Sequence, residues 1–130
     1  MARFDIEGID DLVKELDGLE FDRIAPKMLE EAVPILERNV KKRSEAHRDS
    51  GEMASSIKAT KARAGKDGYS VAVRPTGTDK KGVRNMEKLV YLEYGTSKQK
   101  ATPVLTPSVR ESEEPVRQKM QEVFDREAGG

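Results

Sequence analysis

Cysteine is absent from this 130-residue sequence. That excludes disulfides, thiol nucleophiles and thiolate metal sites, and it agrees with a reducing compartment. Tryptophan is absent too. Aromatic residues make up 5% of the chain, so a stacking platform for single-stranded nucleic acid has little to build on. The single histidine, His47, stands among Ser44, Glu45, Arg48 and Asp49. With no motif partner it reads as an exposed connector residue, not a general base. No stretch approaches the roughly 18 apolar residues of a membrane span. The start, Met1-Ala2-Arg3-Phe4-Asp5, turns acidic before any apolar region can form, so no secretory signal, no membrane partner and a soluble cytosolic product are expected. Net charge is also missing, with 24 Lys and Arg against 24 Asp and Glu. Strong global attraction to nucleic acid or to an anionic membrane is thereby excluded, although a local patch is not.

What the chain does have is charge in quantity: 37% of residues, against a typical share of about 25%. Leu, Ile, Val and Phe together number 27 of 130. That is enough for one folded domain spanning 1–130, with a thin core that partners help to complete. The charges are unevenly placed. Residues 1–30 carry 4 basic and 9 acidic groups, residues 61–105 carry 10 and 4, and residues 106–130 carry 4 and 6. An acidic start and a basic middle suit a head-to-tail ring of identical subunits. An unevenly charged solvated surface is the simpler reading of the same numbers.

Local patterns predict an α+β fold. Phe4 and Ile6 alternate with charged residues as in a short strand ended by Gly8. Ile9, Leu12, Val13, Leu16 and Leu19 follow with helical spacing, Asp10 or Asp11 serving as cap and Gly18 as stop. A long helix is predicted from Asp22, its cap, to about Ser44, through Ile24, Met28, Ala32, Ile35, Leu36, Asn39 and Val40. Pro26 fits its first turn, whereas Pro34 should kink it at a cost of about 3 kcal/mol in isolation. Lys41, Lys42 and Arg43 place cations at its negative pole. Ser50 can cap a short turn leading to Ile57. Ile57–Ala64 and Tyr69–Arg74, with Gly65-Lys66-Asp67-Gly68 between, read as a β-hairpin. Residues 75–82 read as a mobile polar loop. Met86–Tyr94 reads as a short helix feeding a strand, and periodicity does not decide between the two. A last helix carries Val109, Val116, Met120, Val123 and Phe124 on one face; at Pro115 it either kinks or begins anew, with Ser112–Glu114 as entry. Residues 127–130 should fray. The expected architecture is an antiparallel sheet containing a hairpin, packed against a long kinked helix and a C-terminal helix.

Catalytic chemistry is not apparent. There is no phosphate-binding loop and no metal-ligand spacing, so neither cofactor nor metal is expected. Glu30-Glu31 and Glu113-Glu114 are neighbours on helices, and neighbours there point about 100° apart, so they build no carboxylate dyad.

The most specific segment runs from Tyr91 to Pro107. It carries Tyr91, Glu93, Tyr94, Gly95-Thr96, a polar run with Lys98 and Lys100, then Pro103, Val104-Leu105 and Pro107. This arrangement resembles a signature of the small tail-completion, or head–tail connector, proteins of long-tailed double-stranded DNA phages and prophages. Ser50-Gly51 followed by Met53 and Ser56-Ile57 resembles that family's Thr-Gly, apolar, Ser-Ile block. Ile6-Glu7-Gly8-Ile9 resembles its opening strand and helix. The three blocks stand in the family's order. Val104 stands where the family often has Phe, and His47-Arg48 where it often has Pro.

The resemblance implies assembly without catalysis, in rings, usually of six, that join the tail tube to the head connector around passing DNA. It implies a virion location at the head–tail junction, reached from the host cytoplasm. Glu93, Tyr94, Gly95, Thr96, Lys98, Lys100, Pro103, Leu105, Pro107, Ser50 and Gly51 are the candidate motif and interface residues, and the loops 76–82 and 96–100 the candidate subunit contacts. By their own chemistry Gly95 permits positive φ or close backbone approach. Pro103 and Pro107 stiffen the entry to the last helix. Glu93 suits capping loop amides somewhat better than pairing with a neighbour's lysine. Tyr91 and Tyr94 read as core or half-buried packing residues. A competing reading is a nucleic-acid-binding adaptor using the basic segment 61–105. An enzyme is a distant third.

Overall fold

The computed structural model describes residues 18–46, 51–66 and 68–128. The strand and helix predicted before residue 18, the cap Ser50 and the connector His47 lie outside these residues. The elements are α1 (Gly18–Glu45), α2 (Gly51–Ser56), β1 (Ile57–Ala59), β2 (Arg63–Gly65), β3 (Gly68–Ser70), β4 (Val73–Pro75), α3 (Asn85–Tyr94) and α4 (Leu105–Ala128). The class is α+β, as the sequence predicts, and Met86–Tyr94 is helical.

Helix α1 is the spine. Ile24, Met28, Ala32, Leu36, Val40 and Ser44 recur every fourth residue and all are buried. Four residues overshoot a full turn by about 40°, so this row winds around the helix. Its first half (Ile24, Met28, Ala32) meets Val116, Met120 and Val123 of α4. Its second half (Leu36, Val40), joined by Val33, meets Met53, Ile57, Val71, Val73, Leu89 and Val104. One amphipathic pattern thus serves two core clusters, each of its Ile, Met, Leu and Val side chains contributing about 1.5–3 kcal/mol on burial.

Helix α4 runs antiparallel to α1. Arg23 and Lys27 bond Glu127, Glu31 binds Arg126, Asn39 bonds Ser112, and Arg43 binds Glu111. Where the apolar row of α4 reaches the far half of α1, it becomes Ser108 and Ser112, both fully buried. The Asn39 amide donates to Ser112 Oγ at 2.7 Å, and the Ser108 hydroxyl donates to the Val104 carbonyl at 2.6 Å. Small hydroxyls let the helices approach, and both find a hydrogen-bond partner.

Several expectations change. Helix α1 starts at Gly18, which was read as a stop, so Asp22 lies inside it. Tertiary contact holds this extra turn: the Phe21 ring lies 5.5 Å from Tyr69, whose hydroxyl donates to Asp22 Oδ1 at 2.9 Å. Pro26 therefore lies beyond the first turn. Helix α4 is continuous through Pro115, with no new start at Ser112–Glu114. Both Pro34 and Pro115 face solvent, as do Glu30 and Glu111, whose carbonyls they leave without an amide. Water can satisfy those carbonyls, while the opposite helix faces stay packed. Glu127 is ordered by Lys27 at 2.8 Å and Arg23 at 3.2 Å, so the helix does not fray there.

The hairpin is present but interrupted. Ile57 pairs with Pro75 and Ala59 with Val73, whereas Arg63 pairs with Ser70 and Gly65 with Gly68. Three residues, 60–62, thus oppose two, 71–72, which makes a bulge. Thr60 seals it: its amide donates to the Ala72 carbonyl at 2.8 Å, and its hydroxyl accepts the Ala72 amide at 2.9 Å.

Replacing Ser112 with Leu should force α4 from α1 and leave the Asn39 amide without its acceptor. A loss of about 2–3 kcal/mol is expected in chemical denaturation. An unchanged midpoint would contradict the close helix approach.

Candidate functional site

The motif segment occupies α3 and the joint to α4. The joint depends on one carboxylate. In α4 the first intrahelical bond runs from the Ser108 amide to the Val104 carbonyl. The amides of residues 104–107 therefore have no partner within the helix. Glu93, buried on the inner side of α3, supplies what is missing. Its Oε1 accepts the Val104 amide at 2.8 Å and the Leu105 amide at 2.6 Å; its Oε2 accepts the Thr106 amide at 3.2 Å and the Thr106 hydroxyl at 2.8 Å. The fourth position is Pro107, which has no N–H. The whole N-terminus of a 24-residue helix is thus accounted for, with a negative charge at its positive pole. Burial pushes the Glu93 carboxyl up, but the Leu105 amide, the Thr106 hydroxyl and the Val104 and Thr106 amides outweigh it. Glu93 therefore titrates below the ordinary carboxylate value.

Gly95 makes the joint sterically possible. It ends α3 with φ 77° and ψ 178°, its amide donating to the Tyr91 carbonyl at 2.8 Å. A Cβ there would lie 2.8 Å from the Ala101 nitrogen and 2.9 Å from the Gln99 oxygen. Only glycine tolerates both the dihedral and the approach. The intervening loop closes on itself: the Thr96 amide donates to the Gln99 carbonyl at 2.8 Å, and the Thr102 amide returns to Leu92 at 2.8 Å.

The other end of α3 is also built. Residues 75–82, expected to be a mobile loop, are organised around Asp79 together with the two residues that follow. Asp79 Oδ1 accepts the Lys81 amide at 2.8 Å and the Val83 amide at 2.9 Å, and Lys88 of α3 reaches its other oxygen at 2.5 Å. Lys88, foremost, and the Val83 amide hold the Asp79 carboxyl below its usual value. Asn85 donates to the Thr76 carbonyl at 2.8 Å, and the Lys80 amide donates to Glu52 Oε2 at 3.0 Å. The block that begins at Gly51 therefore touches the loop before α3. Ser50 lies outside the described residues.

With its ends pinned, α3 turns Leu89 and Glu93 inward. Its outer side is unexpected. Among the described residues, the exposed large hydrophobics are Val83 at 37%, Val90 at 40%, Tyr91 at 46% and Tyr94 at 77%. All four fall between residues 83 and 94. Tyr94, read from sequence as a core or half-buried packing residue, is thus largely solvent-facing, whereas Tyr91 is about half-buried. The reason is that Leu89, Leu92 and Glu93 already fill the inner side. Val83 escaped sequence reading, and Val90 was read only as part of the Met86–Tyr94 pattern. The signal for Val90 was a short helix apolar on both sides, more than one buried face requires. Thr96, Lys98, Lys100 and Pro103 are exposed around the C-terminal end, Leu105 and Pro107 half-buried at the joint. Among the described residues no His, Asp or Glu cluster could hold a metal ion, and no helix is long and apolar enough to cross a membrane.

Residues 7–95 match the family model described as "Bacteriophage HK97-gp10, putative tail-component". The match covers more than half of the chain. The chain belongs to the HK97-gp10-like family. It is a phage tail structural component, and the family implies a place in the virion. No curated protein and no solved structure matches it. The matched part of this tail component includes α1, the hairpin and α3, and it ends at Gly95, so Glu93 lies within the match and the amides it binds lie beyond.

Two substitutions probe the joint. Gly95→Val should cost about 2–4 kcal/mol through strain and backbone collision, read as a fall in melting temperature. Glu93→Ala should cost a similar about 2–4 kcal/mol by stranding three amides, and Glu93→Gln less. Because the folded Glu93 pKa lies below the ordinary 4.5, its contribution is complete above about pH 4.5 and is lost as pH falls through the folded value. Wild type should therefore lose more stability than Glu93→Gln between pH 5 and pH 3, about the carboxylate titration range. Parallel acid-melting curves for the two proteins would contradict this.

Proposed function

We propose that this tail component joins or completes the tail at the head–tail interface as a ring of identical subunits, and that it does so without catalysis. The observation that carries the reading is the exposed side of α3. Among the described residues the exposed large apolar side chains fall in one stretch of twelve, Val83 in the hydrogen-bonded loop before α3 and Val90, Tyr91 and Tyr94 on the helix itself. Such a patch marks a contact surface. Fixed loops at both ends present it in a constant geometry, which a closed ring requires. The adjoining partners are the head connector and the tail tube, with assembly in the host cytoplasm. DNA passes through the opening without being read.

A second reading, a nucleic-acid adaptor, draws on the hairpin. Lys58, Lys61, Arg63, Lys66 and Arg74 are all exposed there and form no ion pair among the described residues. In a ring the same charges suit passing phosphates without sequence recognition.

Native mass spectrometry across a concentration series tests the proposal. A single closed oligomer should grow in as concentration rises, and duplex DNA should bind no tighter than about 10⁻⁶ M at physiological salt. A chain that stays monomeric throughout, or that binds DNA far more tightly, would overturn it.

A further inference from the structure

The outer side of α3 needs an occupant, and two features of the chain select one. The first is charge. Lys80, Lys81 and Arg84 flank the apolar stripe at one end, Lys98 and Lys100 at the other, and all are exposed. Apart from Lys80, 3.9 Å from Glu52, these side chains form no ion pair among the described residues; Glu87 is the one acidic side chain exposed on α3 itself. The complementary segment is residues 1–17, with six acidic and two basic groups. By sequence it continues into an amphipathic stripe of Ile9, Leu12, Val13, Leu16 and Leu19. An apolar stripe edged by acids matches an apolar stripe edged by bases.

The second feature is reach. Glu93, near the end of α3, bonds the start of α4, whose Ser108 hydroxyl lies 3.4 Å from the Asn39 carbonyl, and Asn39 is about 32 Å along α1 from Gly18. The outward side of α3 lies about a further 10 Å away, across the width of that helix. Leu12 precedes Gly18 by six residues, which span about 20 Å fully extended and about 9 Å as helix. Leu12 and Leu16 therefore cannot reach the α3 face of their own chain.

We propose that the face formed by Val83, Val90, Tyr91 and Tyr94 receives the acidic N-terminal segment, centred on Leu12 and Leu16, of an adjacent copy of this chain. The inference rests on the ring reading and specifies its junction. The contact is heterologous: each subunit offers its N-terminal segment to one neighbour and its α3 face to the other, so the junctions propagate until the ring closes. Apolar burial holds the junction, and the flanking lysines and Arg84 set its direction.

The absence of cysteine gives a clean test. The full-length double variant Leu12→Cys, Tyr94→Cys is oxidised gently and run on a denaturing gel. The proposal expects a ladder of covalent multimers, and the two single variants mixed should give a covalent dimer that neither gives alone. A cross-link confined within monomers overturns the proposal, as does no cross-link at all. Rings that persist without the cross-link remove this junction and leave ring formation standing; an unsubstituted chain that never assembles removes both. As a second arm, Tyr94→Glu should keep the wild-type melting temperature, since its side chain is mostly exposed, yet raise the concentration needed for assembly at least about tenfold. Unchanged assembly by Tyr94→Glu would likewise count against the proposal.

Discussion

The C-terminal third of the molecule depends on one buried carboxylate. Helix α4 must begin beside the end of α3, where its first amides are buried or partly buried. Unsatisfied, each buried amide would cost about 1–3 kcal/mol. Glu93 answers three of them with two oxygens, and Pro107 removes the fourth from the count. A local cap such as Ser or Asp satisfies one or two donors from within the helix's own chain segment. Here the cap comes from another helix, so the same bonds that start α4 also fix where α3 sits relative to it.

Fixing α3 has a consequence for its outer side. Its inner surface is taken up by Leu89 and Glu93, its N-terminal end by the Asp79–Lys88 pair and Asn85, and its C-terminal end by Gly95. A ten-residue helix held at both ends has no freedom to roll its tyrosines inward. Tyr91 and Tyr94 stay outside because geometry holds them there, although burial would favour them by hydrophobicity alone.

The sequence made α1, the hairpin and the last helix legible, because each carries its own periodicity. It was less informative wherever a contact between distant residues decides. Asp22 looks like a helix cap until Tyr69 claims its carboxylate. Pro34 reads as a kink in one helix and Pro115 as a kink or a new start; both helices run on through them, with the prolines on the solvent side. Ser112 reads as part of a helix entry, yet it and Ser108 occupy the buried row of α4, their hydroxyls bonded to Asn39 and to the Val104 carbonyl. The weak pattern in Ile57–Ala64 reflects the bulge at residues 60–62, which shifts the register by one and breaks a strict alternation. At the site, Glu93 and Gly95 were readable because their chemistry is local to the motif. The exposure of the tyrosines was not, since periodicity cannot tell which of two apolar sides of a short helix is covered.

The extent of the family match raises a question of dependence. Residues 7–95 hold α1, yet Ile24, Met28 and Ala32 on its first half are covered by Val116, Met120 and Val123 of α4, which lies beyond the match. The matched region thus exposes half of its own spine unless some other helix lies along it. Two features of α4 meet that need at its two ends. Glu93 anchors the start, and Glu127, drawn by Lys27 and Arg126 to a carboxyl pKa of about 2, bonds Arg23 and Lys27 near the finish. Exposed ion pairs add little stability individually. Their value here is positional: they select the antiparallel register in which the apolar row of α4 meets that of α1. With that row covered from within the chain, the exposed large apolar side chains that remain among the described residues are those at and just before α3.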